Sequence, residues 1–200
     1  MPSAPDLPIA DPLRRFEAWL AEASAGEPND PNAMTLATAT KAGRPSARVM
    51  LLKEADPRGF VFYTNLESRK SLELQENPWA ALLFHWKNLR RQVRIEGAVA
   101  PVSPEEADAY FATRPALSRL GAWASDQSRP LADRAVLEAR LEAAKARFPD
   151  EGAIPRPAHW SGWRLVPDLY EFWQDMPFRL HRRDVYTRDG ADWEISQIYP

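Results

Sequence analysis

Two basic residues that open a predicted helix are the first candidates for chemistry in this chain. Arg69 and Lys70 follow the β-branched and aromatic residues 63–65 and lie in the first turn of a segment with helical spacing. A helix N-terminus beside Arg and Lys favours a bound phosphate, because backbone N–H groups, helix dipole and side chains all attract an anion. The alternative is a solvated basic pair on a helix surface. Arg48 and Lys53, which bracket an apolar predicted strand, add two further cations.

A second candidate cluster is spaced for one face of a helix. Tyr110, Arg114 and Ser118 recur at i, i+4 and i+8, so they line up if helical geometry persists past Pro115. An Arg and a hydroxyl at this spacing can clamp one phosphate, with the tyrosine at its edge. An ordinary amphipathic helix is the alternative explanation.

A third cluster combines one aromatic side chain with three basic ones: Trp173, Arg179, His181 and Arg183. On an extended strand, the three basic side chains project from the same face. Cationic groups this close repel one another unless an anion lies among them, and the alternative is a solvent-facing strand edge. Together, the three clusters indicate one or two phosphorylated ligands.

The composition argues against several other kinds of site. The 200 residues contain no cysteine, which excludes disulfides, thiolate metal sites and a cysteine nucleophile. The eight glycines form no dinucleotide or P-loop motif, and the three histidines lack ligand-like spacing, so we expect no metal. A net charge of -2 argues against general attraction to nucleic acid or an anionic membrane. We expect neither a membrane helix nor a secretory signal.

The elements that must position these clusters are mostly strands. Helical patterns occupy residues 12–26, 68–75, 104–111, 115–123 and 131–148, and we expect the last to be the longest helix. Alternating patterns predict strands over residues 34–40, 46–54, 59–65, 79–86, 91–102, 160–166, 169–174, 179–187 and 193–198. This order favours an antiparallel sheet closed into a barrel, with helices packed outside. We expect residues 1–10 to be a flexible lead and residues 11–200 to form a single domain.

Five motifs in a fixed order carry a family resemblance. They are R-V-M-L-L-K (48–53), F-Y-T-N-L-E-S-R-K (62–70), R-Q-V-R-I-E-G (91–97), Y-F-x-x-R-P-x-x-S-x-x-G-A-W-A-S-x-Q-S (110–128) and E-F-W-Q-x-x-x-x-R-L-H-x-R (171–183). From about Asp11 to its C-terminus, the chain resembles the pyridoxamine 5'-phosphate oxidases, which are FMN-dependent pyridoxine/pyridoxamine phosphate oxidases. Each motif alone is weak, but five in order are specific.

The resemblance implies an FMN-binding split barrel, antiparallel and Greek-key-like with peripheral helices, that works as a cytoplasmic homodimer with FMN between the subunits. It implies FMN contacts from one subunit by Arg48, Val49, Met50, Leu51, Leu52, Lys53, Tyr63, Thr64, Arg69 and Lys70. The other subunit would contribute Gln92, Gln127, Ser128, Trp173 and Arg183. The implied substrate contacts are Lys53, Tyr110, Arg114, Ser118, Arg179, Leu180 and His181.

The resemblance also implies the reaction. A hydride would pass from C4' of pyridoxine or pyridoxamine 5'-phosphate to flavin N5, giving pyridoxal 5'-phosphate. Oxygen would reoxidise the flavin and yield hydrogen peroxide, and the amine substrate would also release ammonia. Arg179 and His181 would be the catalytic residues, acting by orientation and electrostatics.

Three departures from the family pattern concern the substrate side. An upstream segment with Arg and Tyr that closes over the substrate in many members is not matched here. Where the family has R-L-H-D-R, this chain has Arg182 in place of the acid. Where the family ends in R-L-x-P, this chain has Gln197 in place of the arginine. We expect Arg182 and Gln197 to alter a peripheral anion contact, such as one that senses product phosphate.

Two other functions stay open from the sequence. One is an FMN oxidase of another aromatic metabolite on the same barrel, against which the intact set Lys53, Tyr110, Arg114 and Ser118 argues. The other is a non-enzymatic flavin or pyridoxal-phosphate binding module. The presence of Arg179 and His181 argues against this second alternative.

Overall fold

The computed structural model describes residues 10–200. The expected flexible lead over residues 1–10 therefore lies outside the described residues, apart from Ala10. The helices are α1 (Pro12–Gly26), α2 (Arg69–Glu76), α3 (Pro104–Thr113), α4 (Ala116–Ala124) and α5 (Arg134–Arg147), with 3-10 turns at Glu151–Ala153 and Pro177–Arg179. The strands are β1 (Ala33–Ala39), β2 (Pro45–Leu51), β3 (Glu54–Asp56), β4 (Gly59–Asn65), β5 (Trp79–Trp86), β6 (Arg91–Pro101), β7 (Trp160–Gln174), β8 (Arg182–Asp189) and β9 (Asp192–Gln197). Within residues 10–200, no helix is long and apolar enough to span a bilayer.

All nine strands belong to one curled antiparallel sheet. Its main order is β2-β1-β5-β6-β7-β4-β3, and the hairpin β8-β9 joins through β7. The first part of β7 pairs with β4 and the last part with β8, while β6 runs along both. This branching at β7 curls the sheet around its core, and the helices pack at its edges, as the sequence predicts.

Strand β7 is longer than its sequence suggests. We expected two strands separated by Pro167 and Asp168, and this is wrong because one strand runs through both residues. Glu96 of β6 pairs with Leu169 and Gly97 with Pro167, so Asp168 is an extra residue without a partner in this pairing and forms a β-bulge in β7. Glycine is required there, since a Cβ on Gly97 would lie 2.0 Å from the carbonyl oxygen of Val166.

The structure decides whether helical geometry persists past Pro115, and it does not. Helix α3 ends before Pro115 and α4 starts after it, in agreement with the two separate helical patterns over 104–111 and 115–123. Proline disfavours helical geometry in the residue before it, and Arg114 is accordingly extended, with ψ 146°. The prediction that α5 is the longest helix is wrong, because it has 14 residues against 15 in α1, and only its Ala144 is buried.

Two predicted strands begin or end elsewhere. The strand expected over 46–54 is interrupted at Leu52 and Lys53, where the chain leaves β2. The strand expected from Arg179 begins only at Arg182, because Phe178 and Arg179 have left-handed φ values of 58° and 63°. The three basic side chains of the third cluster therefore do not project from one strand face.

Helix α1 closes one side of the core. Asp11 caps it, accepting a hydrogen bond from the backbone N–H of Leu13 at 2.9 Å, as its sequence predicts. Phe16 is fully buried and meets the rings of Phe60 and Phe84 edge-on, with centroids 5.0 and 4.9 Å away. Burial of such a side chain contributes about 2–3 kcal/mol, so α1 is an integral part of the barrel.

Asp184, fully buried on β8, ties α1 to the C-terminal strands. Arg15 donates to its Oδ2 at 2.7 Å, and Gln197 donates to its Oδ1 at 2.8 Å. Arg182 forms an ion pair with the same carboxylate at 2.9 Å. Arg182 and Gln197, which both depart from the family pattern, thus contact the same buried carboxylate, that of Asp184. A contact of either residue with a ligand phosphate stays a prediction.

Replacing Asp184 with Asn should lower the free energy of unfolding by about 3–5 kcal/mol, because it leaves the guanidinium of Arg15 buried without its counter-charge. Denaturant unfolding at fixed protein concentration measures the loss. Glu138→Gln, which breaks a surface pair with Arg134, is the control and should cost under about 0.5 kcal/mol. Equal losses in the two variants would contradict a structural role for this carboxylate.

Candidate active site

A cavity of about 710 Å³ opens between strands β2 and β4 and helices α3 and α4. Its volume suits a small organic ligand. It is lined by ten residues predicted to bind FMN or substrate: Val49, Met50, Leu51, Lys53, Tyr63, Thr64, Tyr110, Arg114, Ser118 and Gln127. Leu52, predicted with them, instead packs its side chain into the core.

Lys70 provides a buried cation just behind one wall of this cavity. Its Nζ donates to Thr64 Oγ1 at 3.1 Å and to Gln127 Oε1 at 3.0 Å, both of which line the cavity, and to Ser68 Oγ at 3.2 Å. Over residues 10–200, Lys70 forms no ion pair with a carboxylate, although it is only 8% exposed. Burial, and then the charge of Arg48, lower the pKa of Lys70 to about 8. Neutral oxygens leave this charge uncompensated, which favours a bound anion.

Two arginines and a buried carboxylate lie beside Lys70. Arg69 donates to Glu73 Oε1 at 2.9 Å. Arg48 donates to Thr38 at 2.6 Å and to Ser46 at 2.5 Å, and both hydroxyls donate to the same Glu73 at 2.5 Å. Burial alone would raise the pKa of Glu73, but hydrogen bonds from Ser46, Thr38 and Arg69 outweigh it and lower the pKa to about 2.

Glu73 therefore stays ionised and partly offsets the three cations Arg48, Arg69 and Lys70. These four groups carry a net charge of two positive units. A phosphate monoester is close to a dianion at pH 7, so this cluster matches it in charge.

Arg114 provides the second uncompensated cation of the cavity. Its Nη1 atom is buried and has no hydrogen-bond partner within residues 10–200. Burial lowers the pKa of its guanidinium, and the described residues offer it no carboxylate. Tyr110 and Ser118, predicted to share a ligand with it, line the same cavity. The structure thus brings the second cluster together although its helix is broken.

Three nearly parallel aromatic rings line the same cavity. Tyr63 stacks on Tyr110 at 4.0 Å between centroids and on Trp160 at 5.3 Å, with interplanar angles of 9° and 3°. Gly162, opposite Tyr63 in the β4–β7 pairing, makes room for this ring, since a Cβ there would lie 2.7 Å from it. Flat, polarisable walls of this kind suit an aromatic ligand.

Three further predicted FMN contacts, Gln92, Trp173 and Arg183, line a separate cleft of about 350 Å³. Glu171 accepts from Arg183 Nε at 2.7 Å and from Arg94 at 2.6 Å, which fixes both guanidinium groups. One chain therefore does not gather all the predicted FMN contacts around one cavity. Two chains must share a site if all of these residues contact one ligand.

Gln127 and Ser128 are not where we expected them. The resemblance groups them with Gln92 on the second subunit, whereas Gln127 hydrogen-bonds Lys70 within one chain. Ser128, with a left-handed φ of 70°, lines a groove with Arg69. Both therefore belong with the Lys70 side of the site.

The predicted catalytic residues lie in the turn before β8. Arg179 and Leu180 are exposed, and Arg179 is in the left-handed region. His181 packs on Trp173, with ring centroids 4.7 Å apart, and its Nδ1 lies 2.9 Å from Asp175 Oδ1. This places His181 beside the cleft of Trp173 rather than in the larger cavity.

Three neighbours of the site were missed by sequence reasoning: Glu73, Trp160 and Glu171. Glu73 stands four residues after Arg69, a spacing that favours an ion pair on a helix and could have revealed it. Glu171 lies two residues before Trp173 on an extended segment, which puts both side chains on the same face. Trp160 carried no local signal, because its partners come from α3 and β4.

Comparison with known proteins identifies the family. Residues 20–148 match the pyridoxamine 5'-phosphate oxidase family, and residues 160–200 match the C-terminal dimerisation region of pyridoxine 5'-phosphate oxidases. A pyridoxine/pyridoxamine 5'-phosphate oxidase of Gluconobacter oxydans (strain 621H) is 61% identical over 199 residues, covering 98% of this chain and 99% of that protein. The corresponding enzyme of Novosphingobium aromaticivorans (strain ATCC 700278) is 60% identical over 199 residues, covering 99% and 98%.

A solved structure confirms the expected split-barrel fold. PhzG from Burkholderia lata 383, in complex with tetrahydrophenazine-1-carboxylic acid, is 38% identical and has a TM-score of 0.91, over 100% of this chain and 97% of that one. The motifs, the fold and these relatives agree along the whole described chain. The chain belongs to the pyridoxamine 5'-phosphate oxidase family.

Proposed function

We propose that this protein is an FMN-dependent oxidase that converts pyridoxine 5'-phosphate and pyridoxamine 5'-phosphate to pyridoxal 5'-phosphate, with oxygen as the electron acceptor. One observation carries the proposal. Within residues 10–200, neither the buried Lys70 nor the half-buried Arg114 has a carboxylate partner, and both lie at one aromatic-walled cavity. Two phosphorylated aromatic molecules side by side, a flavin mononucleotide and a phosphorylated vitamer, would compensate both charges.

The Lys70 side of the cavity suits FMN. Lys70, Arg69 and the N-terminal turn of α2 would hold its phosphate, with Thr64 and Gln127 as neutral partners. The segment 49–51 and Tyr63 would contact the rest of the molecule. When bound, FMN supplies the hydride acceptor and passes the electrons to oxygen, giving hydrogen peroxide.

The Arg114 side suits the vitamer. Arg114, Tyr110 and Ser118 would hold the substrate phosphate, with Lys53 at the mouth of the cavity. Because the phosphate and the reacting carbon are carried by one rigid ring system, binding the phosphate also positions the reacting carbon. The amine substrate would also release ammonia after oxidation.

Arg179 and His181 would act from the other subunit of a homodimer. His181 Nδ1 accepts a hydrogen bond from the backbone N–H of Met176 at 3.3 Å and lies 2.9 Å from Asp175 Oδ1, which orients the ring. Both contacts use Nδ1, so Nε2 would be the ring nitrogen that contacts the substrate. Arg179 would contribute its positive charge beside the substrate ring. Leu180, between them, would add an apolar contact.

The homodimer explains why the site is divided in one chain. The region matched at residues 160–200 is the family's dimerisation region, and it contains Trp173 and Arg183. These residues and Gln92 of one subunit would complete the FMN site of the other. One domain over residues 11–200 and a cytoplasmic location are part of the same proposal, and the cysteine-free composition is compatible with a reducing compartment.

A different aromatic substrate is the main competing function. PhzG, a relative with the same fold, was solved with tetrahydrophenazine-1-carboxylic acid, which carries a carboxylate and no phosphate. The two relatives at 60–61% identity are instead pyridoxine/pyridoxamine 5'-phosphate oxidases. The convergence of Arg114, Tyr110 and Ser118 on one cavity supports the phosphorylated vitamer.

The cofactor half of the proposal can be tested on the purified protein. We expect it to be yellow and to release FMN on denaturation, because the Lys70 cluster matches a terminal phosphate dianion and the chain has no glycine loop for a pyrophosphate. Chromatography of the released flavin distinguishes FMN from FAD. FAD as the main species would contradict the assignment of Lys70 and Arg69.

A further inference from the structure

Arg114 is held by aromatic rings instead of acids. Its guanidinium carbon lies 4.8 Å from the centroid of Trp160 and 5.4 Å from that of Phe111. Its Nη1 has no hydrogen-bond partner within the described residues, and none of their carboxylates forms an ion pair with it. Aromatic faces attract a desolvated cation through the ring quadrupole, so these two rings are what orients the guanidinium.

Trp160 is itself held rigidly. It is 6% exposed, begins β7 opposite Asn65 of β4, and lies nearly parallel to Tyr110, at 7°. Phe111 packs edge-on against it at 4.9 Å. A side chain fixed on this many sides can fix a neighbour in turn.

The choice of an indole over a carboxylate has a chemical consequence. A carboxylate beside Arg114 would orient the guanidinium but also neutralise it and compete with an incoming anion. An indole orients it and leaves its full charge for the ligand. The environment of Arg114 is thus built to hold a cation that still lacks its anion.

We propose that Trp160 is the positioning residue that holds Arg114 toward the cavity without neutralising it, and that it thereby determines selectivity for phosphorylated over unphosphorylated substrates. This inference rests on the proposed function for its substrate. It assigns a role to a residue outside the five motifs that carry the family resemblance.

The test compares Trp160→Leu with Trp123→Leu. Trp123 also carries an arginine over its face, with the guanidinium carbon of Arg147 at 4.6 Å, but it lies outside the cavity. In the FMN-loaded Trp160→Leu enzyme, we expect KM for pyridoxine 5'-phosphate to rise about tenfold, with a much smaller change in kcat. The loss on unphosphorylated pyridoxine should be much smaller, so the ratio of the two kcat/KM values falls about tenfold. Trp123→Leu should keep the wild-type ratio.

A binding measurement separates this inference from the proposed function. The Kd of inorganic phosphate for the FMN-loaded protein, measured by calorimetry, should rise about tenfold in Trp160→Leu and stay at the wild-type value in Trp123→Leu. If the wild type binds phosphate with this pattern but does not oxidise pyridoxine 5'-phosphate, the proposed function fails and the role of Trp160 stands.

Equal losses on both substrates, or an unchanged phosphate Kd, would overturn the proposal. If Trp160→Leu does not fold, Trp160→Phe decides instead. It keeps a smaller aromatic face, so we expect an intermediate rise in KM and phosphate Kd, and wild-type values for both would overturn the proposal.

Discussion

Replacing Lys70 with Met should weaken FMN binding by about a hundredfold while stabilising the FMN-free protein. In the proposed site the ammonium would make a charge-assisted contact with the FMN phosphate, worth about 1.5–3 kcal/mol, and Met removes it. In the FMN-free protein the same ammonium is buried with no carboxylate partner within residues 10–200, so Met removes a desolvation cost there. If Lys70 had only a structural role, its replacement would not weaken FMN binding and at the same time stabilise the FMN-free protein.

The pH dependence of FMN binding follows from the same residue. Its pKa of about 8 in the free protein means that raising the pH through 8 removes the ammonium, so FMN affinity should fall by up to about tenfold per pH unit above 8. Because this pKa lies below the unfolded value of 10.5, the charged form costs stability below pH 8. That cost disappears as the pH rises from about 8 to 10.5.

Titration of the FMN-free protein with FMN between pH 7 and 9, together with thermal unfolding, measures both effects. Lys70→Met should show a flatter pH profile than the wild type. Lys145→Met is the control, because Lys145 lies on exposed α5 and pairs with Glu142. Wild-type FMN affinity in Lys70→Met would place the flavin phosphate elsewhere.

Arg114→Ala should have the second-largest effect, on substrate instead of cofactor. Loss of one charge-assisted phosphate contact should reduce affinity for pyridoxine 5'-phosphate by about ten- to a hundredfold, with the FMN content retained. Unphosphorylated pyridoxine should be a poor substrate of the wild type and lose much less in the variant. Steady-state kinetics on both substrates measures the difference.

Arg147→Ala is the matched control for this variant. Arg147 also lies over a tryptophan face, that of Trp123, but outside the cavity. Arg147→Ala should therefore leave the affinity for both substrates at the wild-type value. Equal losses of affinity for the two substrates in Arg114→Ala would mean that Arg114 supports the fold and does not bind the substrate phosphate.

The sequence predicted the elements whose signals are local. Strands β4 and β5 have the predicted bounds 59–65 and 79–86, and the capping box of α3 forms between Ser103 and Glu106. In each case the residues that define the element are adjacent along the chain, so alternation and capping suffice.

The errors occur where distant parts of the chain decide the structure. Strand β7 continues past Pro167 because Asp168 forms a bulge opposite Glu96 and Gly97 of β6, and these partners lie far away along the chain. Phe178 and Arg179 take left-handed conformations that their residue types disfavour, so their turn could not be expected. Trp160 likewise owes its place in the site to α3 and β4.

The candidate site was predictable as clusters but not as a geometry. The proposed phosphate-binding roles of Lys70 and Arg114 were predictable from their types and spacing. That both lack carboxylate partners within residues 10–200, and that aromatic rings line the cavity beside them, depends on packing across four elements. The carboxylate of Glu73 offsets part of the positive charge of this cluster, and it meets Thr38 of β1 and Ser46 of β2 only once α2 is docked on these strands.

The most direct test of the central claim is an aerobic assay of the purified protein supplied with FMN and pyridoxine 5'-phosphate. The account predicts pyridoxal 5'-phosphate and hydrogen peroxide in equal amounts, no turnover without FMN, and an additional equivalent of ammonia when pyridoxamine 5'-phosphate is the substrate. Bound FMN with no pyridoxal 5'-phosphate formed from either substrate would contradict it.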